Sequence, residues 1–539
     1  MVEALLTYQA HGGYSSAYDE FELPALYMGE GSENLLPGPK GRVEVFKGLT
    51  DTGTGGRVLF NVGDHIASLN DYTSGSLIKG SGTIVGYTHN SLFYAGAGRV
   101  YFDDLSLGAA ASSTLAMLLE SNNSYTDPLS GPYQVGLAQP SAPGLTTKTP
   151  SAGLTGFSAA ISAQATRIRS YTGGESVRSP ASVVIVTNSE TALVSFPLPD
   201  SNGQDRWGLY LPHHGFPFGP YFLFREILLT ELATIDGYPR AIEIDYNDAQ
   251  LQEILAPLDL YPPPASTHLA HLEDVLAAIG GLGDISTGVT TTSGGTCVAP
   301  SVPGKPEGYP PDWYMFLIEA PVHVLPVADG YSWILGNRSV TALSYVGGPE
   351  RPLRLQLQWP TTGIDAPHNA CIADGVLYLA THGGPARMGP LGQVDREWAA
   401  DVRKDMKAWI LADTICGHHL DDNFVVYGCG RELFAYSTLR DVWSAKLKIP
   451  NSIPGNILSC VTDGKQLKIT LDNGGTLDLY KFNVGAGTTA KYVSGWLSTT
   501  DETEMRLFDF RGSMTLDNIA NQISFTFHAN GDGATAVKS

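Results

Sequence analysis

The stretch Leu458–Val461, Thr462-Asp463-Gly464, Lys465–Leu471, Asn473-Gly474-Gly475, Thr476–Phe482 reads as strand, tight turn, strand, Gly turn, strand. The same phrase precedes it three times. It stands at His323–Val327, Ala328-Asp329-Gly330, Tyr331–Leu335, Gly336-Asn337-Arg338, Ser339–Ser344; at Ala370–Ala373, Asp374-Gly375, Val376–Ala380; and at Thr414–His418, Asp421-Asp422-Asn423, Phe424–Tyr427, Gly428–Arg431, Glu432–Ser437. Asp-Gly and Asn-Gly favour two-residue hairpin turns because both residues tolerate positive φ. The turn markers Asp329, Asp374, Asp422 and Asp463 lie 45, 48 and 41 residues apart. A period of about 40–50 residues, each unit a small antiparallel sheet, is the signature of β-propeller blades. A blade cannot bury both faces alone, so blades stack and the ring closes.

Working outward, residues 38–139 carry strands of the same kind, at Arg57–Val62, His65–Leu69, Thr83–Thr88, Ser91–Ala95 and Arg99–Phe102, and read as the first one or two blades. With the four copies in 312–482 the expected total is six, with five or seven as alternatives. Residues 140–250 break the pattern. A Pro-rich hinge at Gly136–Pro143 leads into about seven short strands, the rhythm of an Ig- or fibronectin-like β-sandwich with Trp207, Tyr210 and Tyr171 as core aromatics. Residues 251–311 read as a Pro-rich connector, then a helix capped by Ser266 or Thr267, with Leu269, Leu272, Val275, Leu276 and Ile279 at helical spacing, then a Gly/Thr/Ser loop. Further helices are expected over Ala109–Glu120 and Gln393–Ala412. Residues 1–37 form an arm, packed on a neighbouring subunit or on its own domain, and 483–539 a β-rich end. The fold class is therefore all-β: a propeller with an inserted sandwich and a few short helices.

The chain has 539 residues, with 54 acidic against 33 basic side chains and a net charge of −21. That balance opposes ordinary nucleic-acid or anionic-membrane binding, which depends on Lys and Arg. No apolar run is long enough for a transmembrane helix. The opening Met1–Gly13 has neither basic nor apolar signal regions, so the expected folding compartment is a reducing cytoplasm. Five cysteines, none spaced C-x-x-C, argue against zinc or a disulfide framework; Cys416 and Cys429 either face each other across a hairpin or are buried thiols.

No catalytic constellation stands out: there is no nucleophile elbow, H-E-x-x-H, P-loop, EF-hand or Asp-box repeat. His213-His214 and His418-His419 invite a metal reading, but neighbours on a strand point to opposite faces, which favours separate roles. Asp472–Gly475 and Asn530–Gly533 resemble calcium loops in composition and are explained by hairpin turns. Arg396, Arg403, Lys404 and Lys407 form the densest basic cluster, a solvated face or a surface for an acidic partner. No catalytic, cofactor or metal residues are expected.

The layout resembles tail nozzle or hub proteins of short-tailed bacteriophages, of the packaged-DNA-stabilisation type. The resemblance rests on the order of short phrases: Asn34–Pro37 with Gly41–Gly48, Tyr133–Leu137 before Pro140 and Pro143, Arg169–Thr172 with Gly208-Leu209-Tyr210, Tyr261–Pro264, Pro321–Gly336, and Gly375–Tyr378 before the Trp398 helix. The departure is Gly283–Pro303, where such proteins often carry another strand pair. The resemblance implies a virion structural protein, not an enzyme. It would be assembled in the host cytoplasm as a homohexameric ring below the portal and its adaptor, with fibres or spikes docked on it. DNA would pass a negative lining of mainly Asp, Glu, Gly, Ser and Thr without specific binding. The alternatives are a receptor-binding or other tail component, or a secreted carbohydrate-active propeller enzyme with carboxylates converging on the axis.

Overall fold

A computed structural model describes residues 136–484 apart from short breaks, backbone strands and a few flanking residues between 13 and 134, and two strands near the C-terminal end. Two compact units emerge, Met1–Gly495 and Trp496–Ser539. In the second, Phe525–Phe527 pairs antiparallel with Ala536–Lys538.

The first unit is a β-propeller interrupted by a sandwich. Among the described residues seven sheets follow one another, and each innermost strand neighbours the next until the last meets the first. Blade 1 has Leu59–Val62 innermost, then His65–Asn70 and Ala116–Leu119; blade 2 has Ile84–Tyr87, Ser91–Gly96, Arg99–Asp104 and Tyr133–Gln134. Blade 3 is His268–Leu272, Val275–Gly281, Cys297–Pro300 and Met315–Phe316, and blade 4 is Pro321–Ala328, Tyr331–Gly336, Ser339–Tyr345 and Leu353–Pro360. Blade 5 is Ala370–Ala373, Val376–Thr381, Gly384–Met388 and Val394–Asp395; blade 6 is Thr414–His419, Phe424–Cys429, Glu432–Ser437 and Val442–Trp443. Blade 7 takes Asn456–Asp463, Gln466–Asn473 and Thr476–Phe482 from the end of the repeat, and its outermost strand, Leu49–Gly55, from the beginning. That pairing ties the two ends of the ring together, with Phe482 opposite Leu49 and Tyr480 opposite Asp51. The turn chemistry follows the sequence: Asp374 and Gly375 sit at φ of 49° and 74°, as a two-residue hairpin requires.

The count is seven rather than six because the expected helix after Ser266 is a hairpin. His268 pairs with Ile279 and Leu272 with Val275 across a turn in which Glu273 has φ of 53°. Both strands are covered on both faces, so nearly every position is buried and the usual alternation is lost. Two such strands joined by two residues place leucines at spacings that mimic a helix. Cys297–Pro300, inside the expected loop, then completes the blade. The helix expected at Ala109–Glu120 is also corrected: Ala116–Leu119 pairs with Ala67–Asn70, while 105–115 lies outside the described residues. In Gln393–Ala412 the α-helix is confined to Ala400–Met406, preceded by the edge strand Val394–Asp395. The Asp395 carboxylate accepts from the Glu397 and Trp398 N–H groups, which starts the helical segment late.

The insert leaves blade 2 and returns into blade 3. One sheet has the order Gly144–Lys148, Thr191–Ser195, Tyr238–Ile244, Ala233–Ile235; the other has Gly174–Glu175, Gln164–Arg169, Arg206–Pro212, Tyr221–Leu228. Trp207 is fully buried against Phe196, with ring centres 5.2 Å apart, in a core with Ile161, Val194, Leu209 and Ile244. Tyr210 packs on the opposite face with Tyr221 and Leu223. Tyr171 lies outside the described residues.

The expected hinge is a fixed joint. The Arg169 guanidinium meets the Glu307 carboxylate at 2.8 Å, with side chains 0% and 2% exposed. Glu307 also accepts the Gly136 N–H at 3.3 Å. Gly136 has φ of 80°, and a Cβ there would stand 2.5 Å from Pro262 Cα, so only glycine fits. Main-chain bonds from Val177 to Leu260 and from Tyr309 to Tyr261 complete the joint. The described parts of the N-terminal arm pack on their own domain: Met28 and Leu35 enter the blade 5/6 core, and the Glu33 carboxylate meets Lys448 at 2.7 Å.

Candidate functional site: the inner wall of the ring

A propeller presents two functional surfaces, the wall formed by its innermost strands and the ends where its turns cluster. In the inner wall, histidines and cysteines recur from blade to blade. His268, His323 and His418 lie on the innermost strands of blades 3, 4 and 6. His268 Nε2 is 3.1 Å from the Val322 carbonyl of the next blade, and His368 Nε2 is 3.1 Å from the Ala412 carbonyl. Burial, with His268 and His368 nearby, pushes His323 down to about 3, and burial lowers His418 as well. Burial therefore favours the neutral form of His323, His368 and His418.

Cys371, Cys416 and Cys460 occupy the innermost strands of blades 5, 6 and 7. Cys371 Sγ lies 3.5 Å from Cys416 Sγ, and all five cysteines are free. Burial pushes the Cys371 and Cys460 thiols up. A raised thiol is a poor nucleophile, so this wall is packed and neutral rather than activated. Cys429 does not face Cys416: the register places it opposite Thr414, and Tyr427 stands opposite Cys416. Of the seven innermost strands, the single carboxylate is Asp463 at the end of blade 7. The wall of one propeller is therefore not acidic.

Neither histidine pair acts as a unit: His418-His419 is split as adjacent strand residues must be, and His213-His214 lies in the turn just past Arg206–Pro212. His419 accepts the Leu467 N–H through Nδ1 at 3.1 Å, which leaves Nε2–H to donate to Asp422 at 3.1 Å; the ring stitches blade 6 to blade 7. In the insert, His213 Nδ1 faces Asp248 at 3.4 Å while His214 packs edge-on against Tyr246, centres 4.4 Å apart. Asp472 accepts the Gly475 N–H at 2.7 Å and forms the hairpin turn between the second and third strands of blade 7. Asn530–Gly533 lies outside the described residues.

The basic cluster does not act as one patch. Trp398, Val402 and Met406 turn inward, with Trp398 stacked 4.7 Å from Trp443 and edge-on to Tyr436 at 4.4 Å. Arg403 donates to the Arg396 carbonyl and lies 3.8 Å from Glu397. Arg396 faces the other way, into a cleft beside blade 4, with Thr362 Oγ1 at 3.4 Å. The cysteine row was legible as an equivalence between repeats, since Cys371, Cys416 and Cys460 are 45 and 44 residues apart. The grouping of Arg396 with Arg338 and His382 had no such signal, because it depends on turns of two different blades.

By structure the chain is similar to the WD40 domain of Neurospora crassa Pan2, at 10% identity over 55% of this chain and 85% of that one, with a TM-score of 0.25. It is similar to a chain of a mitotic checkpoint complex, at 8% identity over 56% and 81%, TM-score 0.26. A third is the WD40 β-propeller domain of Doa1, at 9% identity over 54% and 86%, TM-score 0.25. No family model and no curated protein matches the sequence. The fold is established by the ring of sheets itself.

Proposed function

We propose that the protein is a structural component of a short-tailed bacteriophage virion, the nozzle or hub ring that continues the DNA channel and holds the packaged genome. The observation that carries this reading is the order of parts. A closed propeller is interrupted after its second blade by a sandwich, and the sandwich is bolted to the ring by a buried ion pair. That order is the one the phage resemblance implies. A rigid ring bearing a rigid side module suits a part that transmits load and docks neighbours.

In this reading the protein is not an enzyme and needs no cofactor. Six copies form a ring, portal-adaptor proteins sit above it, and fibres or spikes attach to its periphery. The DNA path is the axis of that ring of subunits, so the neutral wall of each propeller is packing and the net charge of −21 acts between subunits. Like charge lets DNA slide without adhering. Native mass spectrometry of the purified protein, with two-dimensional image classes, tests the proposal. Six-fold rings with negligible duplex-DNA binding at physiological salt are expected. A stable monomer in virion-like conditions, or tight DNA binding that weakens steeply with salt, sinks it.

A further inference from the structure

A cleft of about 210 Å³ opens between blades 4 and 5. It lies at the end of the ring where each blade's second and third strands are joined. Blade 4 supplies Arg338 from the turn before Ser339, blade 5 supplies His382 and Gly383 from the turn before Gly384, and Arg396 enters from beyond Val394–Asp395. Three lining side chains are basic types and none is acidic, in a chain with 54 carboxylates against 33 Lys and Arg.

The nearby carboxylates are held by groups other than the Arg338 and Arg396 side chains, one of them by the cleft's own His382. Asp365 pairs with His382 at 2.9 Å. Glu319 Oε1 accepts the Arg338 main-chain N–H and the Ser339 hydroxyl, each at 2.7 Å. Asp395 pairs with Arg387 at 3.0 Å, and Glu397 lies 3.8 Å from Arg403. Among the described residues no carboxylate pairs with the Arg338 or Arg396 side chains. Arg396 Nε is buried with no hydrogen-bond partner among them. A desolvated guanidinium donor without an acceptor is costly.

Main chain packs closely at two places along the cleft, one of them against this group. A Cβ on Gly383 would stand 3.3 Å from the Arg396 guanidinium carbon, and one on Gly363 would meet the Asn337 carbonyl carbon at 2.3 Å. Both positions are glycine, so the turn and the link between the blades lie close against the cleft.

We propose that this cleft binds the oxyanion end group of a small ligand, a carboxylate or phosphate, held by the planar fork of Arg396 with Arg338 at the mouth. Guanidinium forks match such groups bidentately. The volume is below that of a drug-sized pocket, so the cleft takes the charged end and leaves the rest outside. The site is argued from its own residues and does not depend on the channel reading.

The test is calorimetric titration of the full chain with inorganic phosphate, acetate and glucuronate, in wild type, Arg396→Gln, Arg396→Lys, Arg338→Gln and the remote control Arg440→Gln. At least one anion binds the wild type at millimolar concentration or below. Arg396→Gln weakens it by about ten- to a hundredfold, Arg396→Lys by less, and Arg440→Gln not at all. A preference for phosphate assigns a phosphorylated ligand, and one for glucuronate over acetate assigns an acidic sugar. Should Arg396→Gln not fold, Arg338→Gln carries the test, because that side chain makes no hydrogen bond among the described residues. Absence of binding by all three anions, equal binding by the Arg396 and Arg338 variants, or an equal loss in Arg440→Gln overturns the proposal.

Discussion

Replacing Glu307 by Ala removes the carboxylate that holds Arg169 at 2.8 Å in the joint between propeller and sandwich. Both side chains are essentially shut off from solvent, at 0% and 2% exposure, so water cannot replace the lost partner. An exposed pair would be worth at most about 1 kcal/mol. Breaking a buried pair from one side costs about 3–5 kcal/mol, because the remaining charge stays desolvated. The Gly136 N–H, 3.3 Å from Glu307, loses the same acceptor. Urea denaturation of the full chain, followed by the combined fluorescence of its eight tryptophans, measures the loss. Glu307→Gln keeps the shape and loses less. The double variant Arg169→Met with Glu307→Leu recovers most of the stability, since an apolar pair of similar volume carries no desolvation penalty. A cost below about 1 kcal/mol for Glu307→Ala would place the pair in the exposed class and refute the fixed joint. Additive effects in the double variant would refute the coupling.

Other consequences are checked more simply. Burial alone would raise Glu243, but hydrogen bonds from Lys148, Ser151 and Thr191 outweigh it and hold its carboxyl down at about 2 against an ordinary 4.5. Its contribution to stability is therefore complete above about 4.5 and lost as pH falls through about 2; Glu243→Gln flattens that part of the acid-unfolding curve, and identical curves would refute the assignment. Deleting residues 1–55 removes Leu49–Gly55 and leaves Thr476–Phe482 as an open edge, so the truncated chain elutes as aggregates and binds a hydrophobic dye. A monodisperse, cooperatively unfolding truncation would count against closure of the ring. Residues 141–248 expressed alone fold, with sharp backbone amide dispersion, whereas 312–482, which lacks both neighbours of its sheets, does not.

How much of this was legible from the sequence depends on whether an element's partners are near or far in the chain. Blades 4 to 7 were readable because each hairpin carries its own instruction: Asp374-Gly375 takes positive φ wherever it is put, and the strands beside it recur at one period. Trp207 and Tyr210 were readable as core because large aromatics on a strand have few other uses, although only the sheets show that they face opposite ways. Blade 3 was not readable. Its first two strands are buried on both faces, and Leu269, Leu272, Val275 and Ile279 satisfy a helical spacing as well as a strand pair does. The closing strand Leu49–Gly55 was hidden for the opposite reason: its partner lies more than four hundred residues away, with nothing local to announce it.

The same distinction governs the functional surfaces. Net charge is a property of the whole chain and was read directly, but where it acts depends on topology. On the seven innermost strands Asp463 is the single carboxylate. Neutral rings at His323 and His418 and a Cys371 thiol pushed up avoid burying charge where seven sheets converge. The acidic excess is consequently carried outside the innermost strands. Against that acidic excess, a cleft lined by Arg338, His382 and Arg396 and by no carboxylate is a local inversion of charge. Solubility does not require such an inversion, and two of its bases come from hairpin turns of neighbouring blades, where a repeat can change residues without disturbing its sheets. Recognition on this propeller is accordingly expected at the seam between turns rather than in the wall, and the cleft between blades 4 and 5 is where the seam has the chemistry for it.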